Sequence, residues 1–379
     1  MNSRERVLSA LNHEEPDRIP IDMGGTVSTI HVDAYRALLR YLKINVDDIW
    51  ILDSVSGSSR PDEEILRKFH VDTRYIYPKL SKIEQNPPLE MIDIWGIKRK
   101  FTRYYYDLTR DGSPLSKVED LEEIEQFNWP NARTIAYNLD DMIEQAERLA
   151  KQDYAVGLPY VIVGSFAHSM LLRGYQQFLA DVILRPKIAD SIMEKVANIM
   201  VDVIKEYVEP IGKYLDFVFF GDDLGSQTAP IISPQVYRRY VKPKHKKIVD
   251  AFRYATKAKV IIHSDGAISP LIDDLVDVGI SGINPVQVTA KGMDSKELKE
   301  KFGDRIIFWG AIDTQRVLPF GTTSDVRKEV KLRIDHMGKG GGYVLTSVHN
   351  IQPLTPPENI IAMYDEAIGY GRTFYNRHV

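Results

Sequence analysis

The sequence predicts an α/β protein built on one (β/α)8 barrel, or TIM barrel, with an N-terminal cap of helices and a hairpin. From Ile135 onward, helical segments alternate with short apolar strands, the pattern of βα units around a parallel sheet. No G-x-G-x-x-G motif follows a strand, which disfavours a doubly wound open sheet. We therefore expect residues 1–134 to supply the cap and the first barrel elements. Residues 135–379 should form the (β/α)8 barrel, in one structural unit with the cap.

The N-terminal part mixes helices with short strands. Apolar spacing predicts helices at residues 2–13, 31–42 and 62–69, and strands at 18–22, 50–52 and 73–77, with a polar loop at 54–60. Segments 93–98 and 100–106 predict a hairpin of the kind that decorates a barrel.

The C-terminal part has a regular alternation. Ser233-Pro234 and Ser269-Pro270 each predict a helix start, and Thr355 with Glu358 predicts a capping box for the last helix. The other predicted helices are 138–151, 166–184, 188–208, 295–302 and 322–337, and the predicted strands are 154–164, 215–220, 259–262, 282–285, 306–309 and 343–347.

The composition limits the possible partners. The chain has 379 residues, 44% hydrophobic, and a net charge of −4 with dispersed basic residues, which argues against a nucleic-acid or membrane partner and favours a small-molecule substrate. The polar N-terminus and the lack of a membrane-length apolar run predict a cytoplasmic protein. Cysteine is absent, so any metal site must use histidine and carboxylate ligands. The oligomeric state stays open, a homodimer included.

The strand at 259–262 ends in His263 and Asp265, two residues apart. Alternate residues of a strand share one face, so both side chains can reach one metal ion. A structural role also fits: Asp265 would cap the following turn and His263 would be a core histidine.

Other predicted strands end in polar residues too, which is typical of a catalytic rim. Together with His263 and Asp265, His349 would complete a set of two histidines and one carboxylate that suits Zn, Fe(II) or Mn. The remaining polar strand ends are Asp222-Asp223, Asn284 with Gln287, and Asp313 with Gln315.

Asp222 and Asp223 are adjacent and should face opposite ways. One should fold the loop, and the other should bind substrate, carry a proton or hold a metal-ligating histidine. The catalytic candidates are Asp222, Asp223 and Gln287, and the substrate-binding candidates are Gln227, Asn284, Trp309, Asp313 and Tyr160.

His168 and Arg173 follow Gly164-Ser165 at the start of a predicted helix. They form either an anion site at the helix start or a solvated helix face.

Several motifs resemble those of the uroporphyrinogen decarboxylase superfamily, over nearly the whole chain. The resemblance implies a (β/α)8 barrel with its site at the C-terminal mouth. The superfamily includes metal-free decarboxylases and zinc-dependent methyltransferases that act with corrinoid (cobalamin) proteins. The motifs are Arg4-Glu-Arg-Val-Leu with Glu15-Pro-Asp-Arg-Ile-Pro20, Leu172-Arg-Gly174, Gly221-Asp-Asp-Leu-Gly225 with Ile232-Ser-Pro234, His263-Ser-Asp-Gly266, and His349-Asn-Ile-Gln with Pro357-Glu-Asn359.

Two departures from the family motifs narrow the function. The decarboxylases carry Arg-Gln-Ala-Gly-Arg-Tyr, whose arginines bind substrate carboxylates, where this chain has residues 22–27 without arginine. Methyltransferases acting on coenzyme M carry His-x-Cys and a later cysteine, where this chain has Asp265 and His349. A harder metal site is better suited to an ether or alcohol oxygen than to a thiol.

The resemblance therefore implies a methyltransferase that uses a divalent metal, with zinc expected on His263, Asp265 and His349. It would move a methyl group from a small methoxylated substrate to the cobalamin of a corrinoid protein. The alternative is a metal-free decarboxylase of an aromatic or pyrrolic acid. A barrel kept only as a binding scaffold does not explain the polar strand ends.

Overall fold

The strands form one seven-stranded parallel sheet and two small antiparallel sheets. The computed structural model describes residues 1–79, 81–82, 88–135 and 137–375. The strands are β1 (Ile30–His31), β2 (Trp50–Asp53), β3 (Ser58–Arg60), β4 (Thr73–Tyr75), β5 (Ser81–Lys82), β6 (Glu90–Ile92), β7 (Lys98–Phe101), β8 (Tyr106–Leu108), β9 (Ala155–Val163), β10 (Phe217–Gly221), β11 (Lys259–His263), β12 (Gly282–Asn284), β13 (Ile307–Ile312) and β14 (Tyr343–Ser347).

The helices lie mainly between these strands. A π-helical segment, Ile204–Val208, extends the long helix before β10. Tyr237–Val241 is also π-helical, and Glu209–Tyr214 and Ser269–Leu271 are 3-10 helical. The α-helices are α1 (Ser3–Leu11), α2 (Val32–Leu42), α3 (Glu63–Lys68), α4 (Leu121–Gln126), α5 (Ala132–Ile135), α6 (Leu139–Leu149), α7 (Ser165–Arg173), α8 (Tyr175–Leu184), α9 (Pro186–Val203), α10 (Pro234–Val236), α11 (Lys242–Ala255), α12 (Ile272–Val278), α13 (Ser295–Phe302), α14 (Val317–Phe320), α15 (Thr323–Met337) and α16 (Pro357–Phe374).

The parallel sheet runs in chain order, β4-β9-β10-β11-β12-β13-β14, and an extended segment at Ile21 closes it. Ile21 bridges to Leu345 of β14 in parallel, and its carbonyl accepts a hydrogen bond from the N–H of Asp72, next to β4, at 2.9 Å. Ile21 therefore occupies the eighth strand position, and the α/β barrel class is as predicted. Two of the eight positions come from residues 1–134.

Burial on both faces explains the apolar barrel strands. All five residues of β10 are buried, as expected for a parallel strand covered inside by the barrel core and outside by helices. The surrounding helices are one-sided: α6 buries Met142, Ala146 and Leu149 and begins with two acidic residues that suit its N-terminal dipole. Among the described residues, no helix is both long enough and apolar enough to cross a membrane.

Aromatic side chains fill the barrel interior below the mouth. The Trp309 ring lies 4.8 Å from that of Phe217 and 5.2 Å from that of Phe219, between centroids. Val7 and Leu11 of α1 pack into the same cluster and cover the opposite, N-terminal end of the barrel. The mouth at the C-terminal ends of the strands is therefore the end of the barrel at which we expect a substrate to bind.

The N-terminal cap differs from the prediction in its strand boundaries. Residues 93–97 form the turn instead of a strand, with Gly96 at φ 76°, and the predicted hairpin is a three-stranded sheet of β6, β7 and β8. Part of the predicted polar loop at 54–60 is strand β3. The shift moves Arg99 from a predicted turn to the middle of a strand.

Two predictions in the barrel part were wrong. The helix expected at 166–184 breaks at Gly174, whose φ of 89° is left-handed and ends α7 before α8 begins. The capping box at Thr355 is absent because α16 begins at Pro357 with Pro356 as its N-cap, which has no side-chain acceptor. The helix start at Ser233-Pro234 is confirmed, since the Ser233 side chain accepts a hydrogen bond from the N–H of Val236.

Candidate functional site

The structure brings His263, Asp265 and His349 together at the barrel mouth. His263 is the last residue of β11, Asp265 lies in the following turn, and His349 follows β14. One potential ligand atom from each side chain lies within 4.8 Å of the others, and the two imidazole centroids are 5.3 Å apart. This is the residue set expected from the sequence.

The carboxylate of Asp265 is available to a ligand. It accepts no hydrogen bond from any residue that the structure describes. The following 3-10 turn, Ser269–Leu271, has Ile268 as its N-cap and no side-chain capping bond. The alternative in which Asp265 caps that turn is therefore wrong.

Asn284 fixes the orientation of His263. Its Oδ1 atom lies 2.6 Å from Nδ1 of His263, and its amide nitrogen donates to the Trp309 carbonyl at 3.2 Å. Because the amide is oriented by Trp309, Oδ1 faces the imidazole and Nδ1 carries the proton. The lone pair of His263 is then on Nε2. Asn284 is fully buried, so it positions His263 and has no surface for a substrate, contrary to the predicted role.

His349 is kept neutral by its surroundings. Burial lowers its pKa, and nearby His263 lowers it further, while Asp265 raises it. The Nδ1 atom accepts a hydrogen bond from the N–H of Asn350 at 2.8 Å. A metal at Nε2 would move the ring proton to Nδ1 and break this local bond.

The donor set fits a divalent transition metal. Two neutral imidazoles and one carboxylate are the usual nitrogen and oxygen ligands of zinc sites that keep a position open for substrate. Two atoms bound at about 2.1 Å to one ion lie at most about 4.2 Å apart. Atoms within 4.8 Å of one another need only a small side-chain movement to share an ion.

Asp223 lies beside this set. Its Oδ1 atom accepts a hydrogen bond from the N–H of Asp265 at 3.1 Å and lies 4.0 Å from Nε2 of His263. Half of its side-chain surface is open to the mouth. Enclosure by the surrounding protein raises the pKa of Asp223, His263 lowers it and Asp265 raises it.

Asp222 points the other way, as expected for adjacent residues. Its carboxylate accepts hydrogen bonds from the N–H groups of Phe166 and Ala167, at 3.0 and 2.6 Å, and from Nε2 of His245 at 2.8 Å. Asp222 is 1% exposed and anchors the first turn of α7. The place of Asp222 is therefore structural, and of the two aspartates Asp223 is the one that opens to the mouth.

A close backbone contact shapes the turn at Asp265. Gly266 has φ 87°, and a Cβ there would lie 2.5 Å from the carbonyl carbon of Gly225. The Gly266 N–H donates to Oε1 of the buried Gln287 at 2.7 Å. Gln287 thus holds the turn that carries Asp265.

Tyr160 forms part of the wall next to the site. Its ring stacks near that of His263, with centroids 6.0 Å apart and planes at 27°. A Cβ at residue 221 would lie 2.3 Å from the Tyr160 ring, so Gly221 makes room for it.

Three predicted substrate-binding residues make other contacts in the structure. Trp309 is fully buried in the barrel interior, where its indole N–H donates to Asp22 at 2.9 Å, because β13 continues to Ile312 beyond the predicted strand end. Asp313 is 5% exposed and accepts the N–H groups of Gln315 and Arg316 to form a turn. Gln227 is exposed, and its carbonyl accepts the N–H of Lys291.

The helix start after Gly164 is not a solvated face. His168 and Arg173 are both buried, and Arg173 donates to Asp181 at 2.7 Å. Nε2 of His168 has no hydrogen-bond partner among the described residues. Arg173 is therefore committed to a structural ion pair, while His168 is not.

Sequence comparison finds both methyltransferases and a decarboxylase among the relatives of this chain. The chain is 25% identical to methylcobamide:CoM methyltransferase MtbA of Methanosarcina mazei and 23% identical to that of Methanosarcina acetivorans, each over 258 residues that cover 68% of this chain and 70% of the relative. A uroporphyrinogen decarboxylase of Paraburkholderia phytofirmans is 24% identical over 144 residues, 36% of each chain.

Comparison with solved structures supports the fold. A methyltransferase from Methanosarcina mazei superposes with a TM-score of 0.67 at 16% identity, covering 98% of this chain and 99% of the other. The family model described as uroporphyrinogen decarboxylase (URO-D) matches residues 110–370. The chain therefore belongs to the URO-D family, in which it resembles the methylcobamide:CoM methyltransferases.

Proposed function

We propose that this protein is a metal-dependent methyltransferase that moves a methyl group from a small methoxylated substrate to the corrinoid of a partner protein. One observation carries the proposal. In a URO-D family barrel, His263, Asp265 and His349 converge at the mouth, and the Asp265 carboxylate accepts no hydrogen bond from the part of the chain that the structure describes. The matched MtbA proteins are named for methyl transfer between a methylcobamide and coenzyme M.

His263, Asp265 and His349 would hold the metal, with zinc expected. A divalent ion bound by these ligands would act as a Lewis acid toward an oxygen of the substrate. The chain has no cysteine, so the ligands are harder than a thiolate set, which supports an oxygen-bound methyl donor over a thiol.

Other residues hold these ligands in place. Asn284 keeps Nε2 of His263 facing the mouth through its 2.6 Å contact with Nδ1. Gln287 fixes the turn of Asp265 through the N–H of Gly266. Such partners of metal ligands commonly change metal affinity by 10–100-fold when removed.

Asp223 and Tyr160 complete the donor site. When the methyl–oxygen bond breaks, both of its electrons stay on oxygen, and the methyl group passes to the co-substrate, a reduced corrinoid, which would supply the electron pair of the new bond. The oxygen then needs one proton. The Asp223 carboxyl, which is half open to the mouth, is placed to donate this proton to the oxygen. The Tyr160 ring offers an apolar face for a planar donor.

Product formation tests the proposal. The purified protein, reduced cobalamin and a methoxylated aromatic are incubated with zinc or after treatment with a chelator, and the released phenol is quantified. We expect phenol only in the metal-loaded sample, and none from His263→Ala. Equal phenol release with and without metal would overturn the metal-dependent mechanism.

A further inference from the structure

Arg99 is a nearly buried cation that has no hydrogen-bonded partner among the residues that the structure describes. It lies in the middle of β7, where alternate residues face opposite ways: Lys98 and Lys100 are exposed, and Arg99 turns inward with 11% of its side-chain surface accessible. Its guanidinium donates no hydrogen bond to any residue in the described part of the chain.

The nearby carboxylate of Asp93 does not satisfy Arg99. Its Oδ2 atom lies 3.9 Å from Nε of Arg99, beyond hydrogen-bond distance. Its Oδ1 atom accepts the N–H groups of Trp95 and Ile97 and thus holds the hairpin turn. Nε of Arg99 is buried without a partner among the described residues, whereas the two terminal nitrogens reach the surface. A buried donor without an acceptor is unfavourable, so a bound group that pairs with this guanidinium is the natural acceptor.

A second unpartnered group lies in the same region. The Trp95 ring, from the turn before β7, packs against His168 with centroids 4.3 Å apart. His168 is 6% exposed, and its buried Nε2 atom has no partner among the described residues. It lies in the first turn of α7, directly after the Phe166 and Ala167 N–H groups that Asp222 anchors.

Tyr175 is affected by the charges of both Arg99 and Asp223. Burial raises the pKa of Tyr175, the charge of Arg99 lowers it, and the charge of Asp223 raises it. The tyrosine is therefore within electrostatic reach of both Arg99 and Asp223. Burial lowers the pKa of His168 and the charge of Arg99 lowers it further, so Arg99 is also within electrostatic reach of His168.

We propose that Arg99, assisted by His168, binds a carboxylate group of the methyl donor. This inference rests on the proposed methyl transfer for the identity of the bound molecule as a methyl donor. The planar fork of an arginine matches a carboxylate through paired hydrogen bonds. Arg99 supplies one guanidinium, which pairs with one carboxylate, so the donor is a methoxylated monocarboxylic acid.

Binding of matched acids and amides tests this assignment. The probes are 4-methoxybenzoate against 4-methoxybenzamide, and methoxyacetate against methoxyacetamide, titrated calorimetrically into the full-length zinc-loaded protein. We expect at least one acid to bind more tightly than its amide. Arg99→Gln should weaken acid binding about ten- to hundredfold and leave amide binding unchanged.

Two further variants serve as controls. Lys100→Gln removes the same charge from the outer face of the same strand and should leave acid binding at the wild-type level. Arg99→Lys keeps the charge but loses the planar guanidinium that forms paired hydrogen bonds. It should therefore weaken acid binding by a smaller factor than Arg99→Gln does. If thermal unfolding shows that Arg99→Gln does not fold, the acid affinities of Arg99→Lys and Lys100→Gln are compared instead. Weaker acid binding by Arg99→Lys than by Lys100→Gln then supports the role of Arg99.

The inference is overturned if neither acid binds the wild-type protein more tightly than its amide. It is also overturned if the folded Arg99 variants weaken acid and amide binding equally. These titrations contain no corrinoid. A preference for the acid over the amide is therefore measured independently of whether the protein transfers a methyl group. Conversely, methyl transfer from neutral donors without such selectivity would remove only this inference.

Discussion

Oδ1 of Asn284 lies 2.6 Å from Nδ1 of His263, and this contact sets which imidazole nitrogen faces the barrel mouth. Asn284 ends β12 and His263 ends the neighbouring β11, so the two residues pair directly across parallel strands. The Asn284 amide is itself held by the carbonyl of Trp309 in the next strand, β13. Three consecutive strands therefore fix one metal-ligand candidate.

Replacing Asn284 tests this arrangement. Asn284→Ala removes the acceptor for Nδ1–H and should weaken zinc binding by about 10–100-fold, as measured by competition with a chromophoric chelator. Asn284→Asp keeps an acceptor at Nδ1 and should retain most of the affinity. Equal loss in both variants would show that Asn284 acts through packing and not through the imidazole.

Asp265 should act as a direct ligand. Asp265→Ala removes a carboxylate that has no hydrogen bond to lose among the described residues, so the fold should persist while metal content falls about tenfold or more. Elemental analysis of protein purified without added metal measures the change. If Asp265→Ala and His263→Ala both keep the wild-type stoichiometry, the three residues do not form a metal site.

Adjacent residues Asp222 and Asp223 should give opposite phenotypes. Asp222→Ala removes the buried acceptor for two backbone N–H groups and for Nε2 of His245, which should lower the free energy of unfolding by about 3–5 kcal/mol. Asp223→Ala removes one hydrogen bond at a half-open side chain and should cost about 1 kcal/mol while abolishing most activity. Urea denaturation with parallel activity assays separates the two, and a catalytic loss without destabilisation in Asp222→Ala would reverse the assignment.

His168 should make the protein less stable in mild acid. Burial lowers its pKa to about 3, so the folded state resists protonation while the unfolded state takes up a proton near pH 6.5. The unfolded state then binds more protons below pH 6.5, and the free energy of unfolding falls with pH until about pH 3. From pH 7 to pH 5 this group alone should cost about 2 kcal/mol.

Denaturation of His168→Leu and His168→Gln at both pH values measures this contribution. Both variants should lose about 2 kcal/mol less than the wild-type protein between pH 7 and pH 5, whatever their stability at pH 7. The glutamine variant keeps a polar side chain, which separates ionisation from packing. A wild-type slope in both variants would mean that His168 titrates normally.

The metal-ligand candidates could be read from the sequence because parallel strands converge. An apolar run that ends in His263 must place that residue at the C-terminal rim, and the same reasoning applies to His349 after β14. The contact between them needs no knowledge of side-chain packing beyond the barrel class.

Residues whose role depends on strand boundaries were harder to assign. Trp309 was expected at a strand end, but β13 runs three residues further, to Ile312, so the indole lies in the barrel interior. Arg99 lay between the predicted hairpin segments 93–98 and 100–106, and the actual turn at 93–97 places it at an inward-facing position of β7. When the boundary of a strand is misplaced by two or three residues, buried residues are predicted as exposed and exposed residues as buried.

Hydrogen-bond partners of buried polar residues also cannot be identified from the sequence alone. Whether Asp222 or Asp223 enters the mouth depends on which carboxylate meets His245 and the N-terminus of α7, and these lie far apart in sequence. Alternation predicted that the two aspartates diverge. Only the folded structure shows that Asp222 is the structural one.

The central claim is that this site activates a methyl donor for transfer to a corrinoid, and an absorbance measurement tests it most directly. Reduced cob(I)alamin is mixed with protein, zinc and a panel of methoxylated aromatics, methanol and methylamines. We expect the spectrum of methylcob(III)alamin only when protein, metal and an oxygen-linked donor are all present, and no conversion with His263→Ala. No conversion with any donor, together with metal-independent release of carbon dioxide from a small aromatic or pyrrole acid, would contradict the account and establish a decarboxylase.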